Sequence, residues 1–250
     1  MEMIGWGAGI TYGDPDHLII FISGFVRQDK PIFHFWDFAQ TMPQTRLLVR
    51  DHTNNLYSNG ILGVTDNEDE NLQFLQFFIK KIGARRVSFV TGSVGAFAAI
   101  TWGHKLGVND IHMVGPVTDM ATIVESPRGK HPIFADLNEY LRSQVAAGNP
   151  QANLRSFMRD NADRVDCVDI YYGRDDATDR QQAAVIEDLP QVRTTIYYSG
   201  DHTRVPMFIQ RRDPVLSDRL MDPVVPRPAD LRRDGKSADV DLGYAMVKLV

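Results

Sequence analysis

The sequence predicts an α/β fold in which helices cover both faces of a mainly parallel, doubly wound sheet. Short apolar runs recur along the chain, and most are continuous and not alternating, which is typical of strands buried on both faces. Longer amphipathic stretches separate these runs, as helices do in β–α–β crossovers. With 43% apolar residues over 250 positions, the chain can bury one substantial core, so we predict a single domain over residues 1–250.

Six apolar runs are the predicted strands, at residues 18–22, 47–49, 87–90, 111–114, 165–172 and 194–198. Three helices follow from the apolar spacing and the end signals, at residues 68–82, 94–106 and 177–189. Asn67 and Glu70 have the spacing of a capping box, and Gly83 is a suitable helix end. The alternation of strands and helices is what parallel β–α–β units produce.

Two segments interrupt this alternation. Residues 116–164 are longer than a plain crossover and contain helical patterns at 134–146 and 152–163, so we predict a small helical cap over the site. Residues 213–250 are rich in proline and arginine, which excludes one regular helix. We expect this tail to be an extended arm that packs on the domain or on a partner subunit, where it would support a homodimer.

Composition excludes several classes of protein. The net charge of −5 argues against a nucleic-acid-binding protein, which usually carries a basic face. Cys167 is the single cysteine, so no internal disulfide can form, and the seven histidines lack a close metal-ligand spacing. We therefore predict no metal and no cofactor. The chain has no apolar stretch of membrane-spanning length and no leader-like start, which favours a cytoplasmic protein.

The segment Thr91-Gly92-Ser93-Val94-Gly95 carries the predicted chemistry. Ser93 lies between an apolar strand and a helix rich in small residues, where a serine is held in a strained, exposed turn. Its Oγ would project beyond the carboxyl end of the sheet, and the N–H of Val94 would point at a developing oxyanion. A serine hydroxyl attacks only after a base takes its proton, so a histidine and an acid are required.

Both groups follow in the chain order Ser, Asp, His. His202 comes after the last predicted strand, and three candidate acids, Asp175, Asp176 and Asp179, come after the strand before it, with Asp175 the weakest of them. The acid would fix the imidazole tautomer and stabilise the imidazolium. The spacing from Gly173 slightly favours Asp176, and Asp179 stays open as the alternative.

Over residues 17–212 the chain resembles the α/β-hydrolase superfamily. The segment Ile22-Ser23-Gly24-Phe25 is similar to the His-Gly loop that supplies the second oxyanion N–H, and the resemblance assigns this N–H to Phe25 or to Val26. Two positions depart from the family pattern. Thr91 replaces the first glycine of the nucleophile motif, and Ser23 replaces the histidine before Gly24.

A narrower resemblance is to hydrolase-like proteins of bacterial surface-polysaccharide machinery. It rests on Arg50-Asp51, Leu56-Tyr57, Gly60, Gly115-Pro116, and Asp179 with Ala183. Together these patterns predict a serine esterase, thioesterase or acyltransferase acting on a small acyl substrate, in glycoconjugate or secondary metabolism. Gly24, Val26, Trp36 and Tyr57 are the predicted pocket residues. The alternative function is that of a catalytically degenerate scaffolding protein of the same fold.

Overall fold

The structure, a computed structural model, describes residues 1–27, 32–162, 164–197, 201–211, 214–221 and 238–240. Within these ranges nine strands form one sheet. They are β1 (Glu2–Met3), β2 (Ala8–Thr11), β3 (Asp14–Ile22), β4 (Gln44–Val49), β5 (Arg86–Gly92), β6 (Asp110–Val114), β7 (Cys167–Gly173), β8 (Val192–Tyr197) and β9 (Ala238–Val240).

The strand order in the sheet is β1-β2-β4-β3-β5-β6-β7-β8-β9. The pairs β1–β2 and β2–β4 are antiparallel, and every other pair is parallel. The predicted fold class is therefore confirmed. Strands β1 and β2 were not predicted, because they are short and neither is a continuous run of bulky apolar residues. Residue 198, the predicted end of β8, lies outside the described residues.

Nine helices accompany the sheet in the described ranges. They are α1 (Trp36–Thr41), α2 (Glu68–Ile82), α3 (Gly95–Leu106), α4 (Met120–Glu125), α5 (Ala135–Ala146), α6 (Leu154–Asp160), α7 (Ala177–Ala183), α8 (Arg204–Arg211) and α9 (Pro214–Met221). Helix α2 has the predicted bounds, with the Asn67 side chain accepting from Glu70 N–H and Gly83 closing the helix at a φ of 70°. Helix α7 ends before the predicted residue 189, and turns follow it.

The core has two layers, one on each face of the sheet. Helices α2 to α7 cover one face, where the side chains of Leu75, Ala99 and Ile111 are inaccessible to solvent. Helices α1, α8 and α9 cover the other face, around Phe21 and Tyr171. Because both faces are covered, the central strands are apolar on both sides, which explains their continuous apolar runs.

The tail differs from the predicted extended arm. Residues 214–221 form helix α9, which buries Leu216 and Leu220 against the sheet, and β9 pairs with β8. Proline at the first position of α9 is compatible with a helix, since that residue needs no amide hydrogen bond. Residues 222–237 and 241–250 lie outside the described residues, so the homodimer contact stays a prediction. No helix in the described ranges combines the length and the apolar character needed to cross a membrane.

Candidate active site

Ser93 occupies a tight turn between β5 and α3. Its φ is +54°, a left-handed conformation that is costly for a residue with a side chain. Close packing around the turn requires glycines. A Cβ on Gly24 would lie 2.4 Å from the Gly92 carbonyl oxygen, and a Cβ on Gly95 would lie 2.3 Å from Thr91 Oγ1. The elbow geometry that the sequence predicted is therefore present.

Thr91, where the family pattern has glycine, is accommodated by a hydrogen bond. Its side chain is fully buried, and Oγ1 donates to the Ile22 carbonyl oxygen at 2.8 Å. The hydroxyl thus ties the strand that precedes the elbow to the neighbouring strand β3. The extra bulk is absorbed because Gly95 leaves space beside it.

Two backbone N–H groups next to Ser93 are candidates for an oxyanion hole. Among the described residues, the N–H groups of Phe25 and Val94 donate to no protein acceptor. The alternative donor, Val26, is excluded, because its N–H donates to Asn54 Oδ1 at 2.8 Å. Its carbonyl oxygen accepts from Asn54 Nδ2 at the same distance, so Asn54 fixes the backbone of this loop.

His34 fixes the same loop from the other side, a role that sequence reasoning did not assign to it. Its backbone N–H donates to Ser23 Oγ at 3.0 Å, and its Nδ1 accepts from Gly24 N–H at 3.2 Å. Burial lowers the pKa of His34, and the nearby His202 adds to this effect, although a contact with the Phe25 backbone opposes it. A neutral imidazole suits the acceptor role.

His202 and Asp179 are paired beside Ser93. His202 Nδ1 lies 2.9 Å from Oδ1 of Asp179, whose carboxyl group on α7 is fully buried. A carboxylate can only accept, so in the neutral tautomer that hydrogen-bonds Asp179 the proton lies on Nδ1 and Nε2 is the acceptor. Ser93 and His202 line the same cleft.

In the described part of the chain, no hydrogen bond joins Ser93 Oγ to the imidazole of His202. Catalytic hydrogen bonds often shorten only once a substrate is bound.

Asp176, the acid that the sequence slightly favoured, has a different position. Its Oδ1 caps α7 by accepting from Asp179 N–H at 2.9 Å, and its Oδ2 accepts from His202 N–H at 3.1 Å. Partial burial raises the pKa of Asp176, but these hydrogen bonds and the charge of Arg128 outweigh that effect and lower it. Asp176 holds the backbone of His202, whereas Asp179 contacts its ring. The contacts therefore favour Asp179 over Asp176 as the partner of the imidazole, because the Asp176 carboxylate caps α7.

Arg128, in the loop after α4, was missed by sequence reasoning, since nothing distinguishes it from the other arginines of segment 116–164. Its Nη1 lies 2.6 Å from Asp179 Oδ1 and its Nη2 lies 2.7 Å from Asp176 Oδ2. Gly115, after β6, is required on the opposite side. Its φ is +52°, and a Cβ added there would lie 2.9 Å from His202 Nδ1 and 3.1 Å from Asp179 Oδ2.

A narrow apolar pocket opens at Ser93, with a volume of about 370 Å³ including its mouth. Phe25 and Val94 form one wall, and the ring of Phe25 packs edge-on against Phe134 at 4.7 Å. Segment 116–164 supplies the other walls through Val117, Ile123, Val124, Arg128, Gly129, Phe134, Leu137, Asn138 and Leu141. The segment expected to be a cap therefore borders the pocket at Ser93.

A second, wider cleft meets the narrow pocket at Ser93. It has a volume of about 1960 Å³ including space open to solvent, and His202, Phe33 and Trp36 line it. Of the four predicted pocket residues, Trp36 borders this cleft. Gly24 packs against the elbow. Val26 and Tyr57 border neither the cleft nor the narrow pocket. The Tyr57 hydroxyl instead donates within the core to the Ser23 and Val49 carbonyl oxygens, at 2.9 Å and 3.2 Å.

Comparison by sequence identifies no relative, since no family model and no curated protein matches the chain. Comparison by structure identifies several. The capsule O-acetyltransferase of Neisseria meningitidis serogroup A superposes with a TM-score of 0.65 at 14% identity, covering 86% of this chain and 92% of that one. The 2,6-dihydroxy-pseudo-oxynicotine hydrolase gives 0.64 at 13% identity, covering 87% of this chain and 64% of that one.

A glycosylation-associated protein complex from Streptococcus agalactiae has a TM-score of 0.60 at 14% identity, and the match covers 85% of this chain and 43% of that one. At these identities the similarity shows the fold alone. The fold predicted from the sequence is confirmed by these neighbours together with the sheet order and the elbow. The chain is a protein of the α/β-hydrolase fold.

Proposed function

We propose that the protein is a serine-dependent acyl-transfer enzyme that accepts an acyl group from an ester or a thioester. One observation carries this proposal: Ser93 stands in a strained turn facing a cleft that also contains His202, whose ring is paired with a buried Asp179. Strain of this kind persists where the surrounding structure holds it, and it concentrates at functional sites.

In the first half-reaction, His202 Nε2 takes the proton of Ser93 Oγ as the oxygen attacks the acyl carbon. The charge that develops on the carbonyl oxygen would be held by the N–H groups of Phe25 and Val94, and one such donor contributes about 3 kcal/mol to an acyl transfer. The bond from the acyl carbon to the leaving oxygen or sulfur then breaks. His202 returns its proton to the leaving group, and Ser93 carries the acyl group.

In the second half-reaction, a hydroxyl compound enters where the leaving group departed. His202 Nε2 takes its proton, its oxygen attacks the acyl carbon, and the bond to Ser93 Oγ breaks. The proton on His202 then returns to Ser93. If the hydroxyl compound is water, the enzyme is an esterase or thioesterase, and if it is an alcohol or a sugar, the enzyme is an acyltransferase.

The two cavities at Ser93 suggest how the substrates divide between them. The narrow pocket is lined mostly by apolar side chains, with Ser93, Arg128 and Asn138 as its polar members, which suits a short acyl chain. The wide cleft has room for a bulky leaving group or for a second substrate. This width favours transfer to a large acceptor, and the structural neighbour that is a capsule O-acetyltransferase is in line with it.

A second candidate function is non-catalytic binding by a degenerate site. The absence of a hydrogen bond between Ser93 Oγ and His202 favours it, as does the guanidinium that shares Asp179 Oδ1 with the imidazole. In that case the cavities would bind a ligand or a partner without turnover.

Labelling with a fluorophosphonate probe distinguishes the two functions. We expect covalent labelling at Ser93, identified by peptide mass spectrometry, and complete loss of labelling in Ser93→Ala. Ser217→Ala, on the exposed face of α9, is the matched control and should label like the wild type. Folded wild-type protein that resists the probe and hydrolyses no ester or thioester of a broad panel would favour the binding function.

Hydrolysis and transfer are distinguished by the fate of the acyl group. With an activated acetyl ester and an added glycan acceptor, a transferase forms acylated glycan faster than free acid. Substituting Trp36→Ala in the wide cleft should lower the ratio of acylated glycan to free acid without lowering the rate at which Ser93 is labelled. An unchanged product ratio would mean that Trp36 does not contact the acceptor.

A further inference from the structure

Arg128 joins segment 116–164 to the acid–base pair. Besides its contacts with Asp176 and Asp179, its Nη1 lies 3.0 Å from His202 Nδ1. Asp179 Oδ1 therefore receives two donors, the imidazole N–H and the guanidinium. The guanidinium side chain is only 17% exposed, so its interactions are weakly screened by water.

The charges around His202 explain why a cation is needed there. Asp176 and Asp179 bring two negative charges and Arg128 brings one positive charge, so the three side chains together carry about one negative charge. An imidazolium at His202, formed during the reaction, would neutralise that charge. Without Arg128 the same imidazolium would face two carboxylates, one against its ring and one against its backbone N–H.

A base that faces two uncompensated carboxylates holds its proton more firmly, and a base protonated near neutral pH cannot accept the proton of a serine. We propose that Arg128 is a positioning residue that neutralises Asp176, so that His202 pairs with the charge of Asp179 alone and stays available as a base near neutral pH. The proposal rests on the proposed function for its role in catalysis, but the charge effect can be measured without turnover.

Other titratable groups near His202 do not replace this effect. His34 faces the same cleft from the loop before α1, and burial keeps it neutral by lowering its pKa. Among the described residues, the remaining charged side chains on the cleft or next to His202 in the chain are Asp37 of α1, Arg50 after β4, and Asp201 and Arg204 on its own segment. Asp201 and Arg204 pair with each other at 3.7 Å. Of these cations, Arg128 contacts the carboxylates of both Asp176 and Asp179.

The test is a direct titration of the histidines by NMR, with the imidazole Cε1 carbon labelled and the His202 signal assigned from His202→Gln. In Arg128→Met the midpoint of the His202 titration should rise by about one pH unit, the size expected for loss of one neighbouring charge at a partly exposed site. Arg128→Lys, which keeps the charge, should restore most of the wild-type midpoint.

Asp176→Asn gives the opposite change. It removes one negative charge and leaves Arg128 in place, so the midpoint should fall, and asparagine still serves as an N-cap for α7. The double variant Arg128→Met with Asp176→Asn should return close to the wild type. Arg142→Met is the matched control, since Arg142 pairs with Glu125 on the exposed surface of the same segment and should not move the midpoint.

The proposal is overturned if the midpoint is the same in Arg128→Met as in the wild type, or if the double variant titrates like Arg128→Met. If Arg128→Met does not fold, an unchanged midpoint in Asp176→Asn overturns it equally. Failure of the proposed function is a separate outcome, seen as absence of probe labelling at Ser93 in folded wild-type protein. Where labelling occurs, we expect its rate to fall off at acid pH. In Arg128→Met this fall should begin at a higher pH than in the wild type, by the same interval as the NMR midpoint moves.

Discussion

Two clusters of ionisable side chains lie at opposite ends of the parallel strands β5, β6 and β7. The carboxyl-end cluster consists of Arg128, Asp176, Asp179 and His202. The amino-end cluster consists of Arg86, Asp110, His112, Asp169, Arg193 and Arg219. Both contain buried carboxylates paired with arginines and a histidine, so residue types alone do not distinguish them.

The difference lies in how completely the polar atoms are paired. In the amino-end cluster, Asp169 accepts from Arg193 Nη2 at 2.6 Å and from Arg219 Nη1 at 2.8 Å, and no buried side-chain nitrogen or oxygen lacks a partner. In the carboxyl-end cluster, the buried Oδ2 of Asp179 has no partner, and His202 borders a cleft. A saturated cluster stabilises the fold, here by fixing Arg219 of α9, whereas an unsaturated one beside a cavity is suited to chemistry.

The largest expected effect comes from removing one carboxylate charge from each cluster. Asp169→Asn should lower the free energy of unfolding by about 3 kcal/mol, because it leaves two partly buried guanidinium groups without their counter-charge. Asp179→Asn, at an equally buried position, should cost only about 1 kcal/mol of stability, since Arg128 keeps Asp176. Asp179→Asn should instead slow the labelling of Ser93 by about 100-fold or more.

Urea unfolding and probe labelling of both variants measure this pair of effects. If Asp179→Asn destabilised the protein as much as Asp169→Asn did, the two clusters would have the same structural role.

Gly115→Ala tests the space that the carboxyl-end cluster requires. A Cβ there would displace His202 and Asp179, so labelling of Ser93 should slow about 100-fold, as a displacement of this size costs in catalysis. Gly107→Ala is the control, because Gly107 also has a positive φ but no atom lies within 4 Å of its added Cβ. Both should lose about 1 kcal/mol of stability from backbone strain. Equal labelling in the two variants would contradict the placement of the pair.

A smaller effect is expected at His17, which lies beside the amino-end cluster and hydrogen-bonds Ser88 Oγ through Nε2 at 2.7 Å. Burial, and next the charge of Arg86, lowers the pKa of His17 to about 4. The unfolded chain, with its ordinary pKa near 6.5, then binds more protons between these values, so stability falls as pH falls through this window. The loss between pH 7 and pH 5 should be about 2 kcal/mol.

In His17→Gln the contribution of this group is absent. The free energies of unfolding measured in urea at pH 7 and pH 5 should therefore differ by about 2 kcal/mol less than in the wild type. An identical pH dependence in the variant would show that His17 titrates normally in the folded protein.

The smallest effect concerns Tyr57, which lies at the carboxyl end of the strands but behind the elbow. Tyr57→Phe should lower stability by about 1 kcal/mol, because the carbonyl oxygens of Ser23 and Val49 lose a buried donor. Labelling of Ser93 and acyl-chain preference should stay unchanged, whereas Phe134→Ala, in the wall of the narrow pocket, should broaden the preference to longer chains. A changed acyl-chain preference in Tyr57→Phe would indicate that Tyr57 contacts the substrate.

Much of the fold could be predicted because it is encoded locally. The six apolar runs each became a strand, and Asn67 and Gly83 marked the ends of α2, since capping and conformational preferences act over a few residues. The short strands β1 and β2 gave no such signal, and they exist because β4 offers a free edge for pairing.

The sequence by itself determined the sheet, the elbow at Ser93 and the chain order of Ser93, the two aspartates and His202, because each depends on neighbouring residues or on strand succession. Only the tertiary structure decided which carboxylate faces His202, that Val26 N–H is used by Asn54, and that Arg128 lies between Asp176 and Asp179. These facts depend on side-chain direction and on distances between segments up to 74 residues apart, as for Arg128 and His202. Spacing along a chain does not contain such distances, since they are fixed only when helices and loops pack on the sheet.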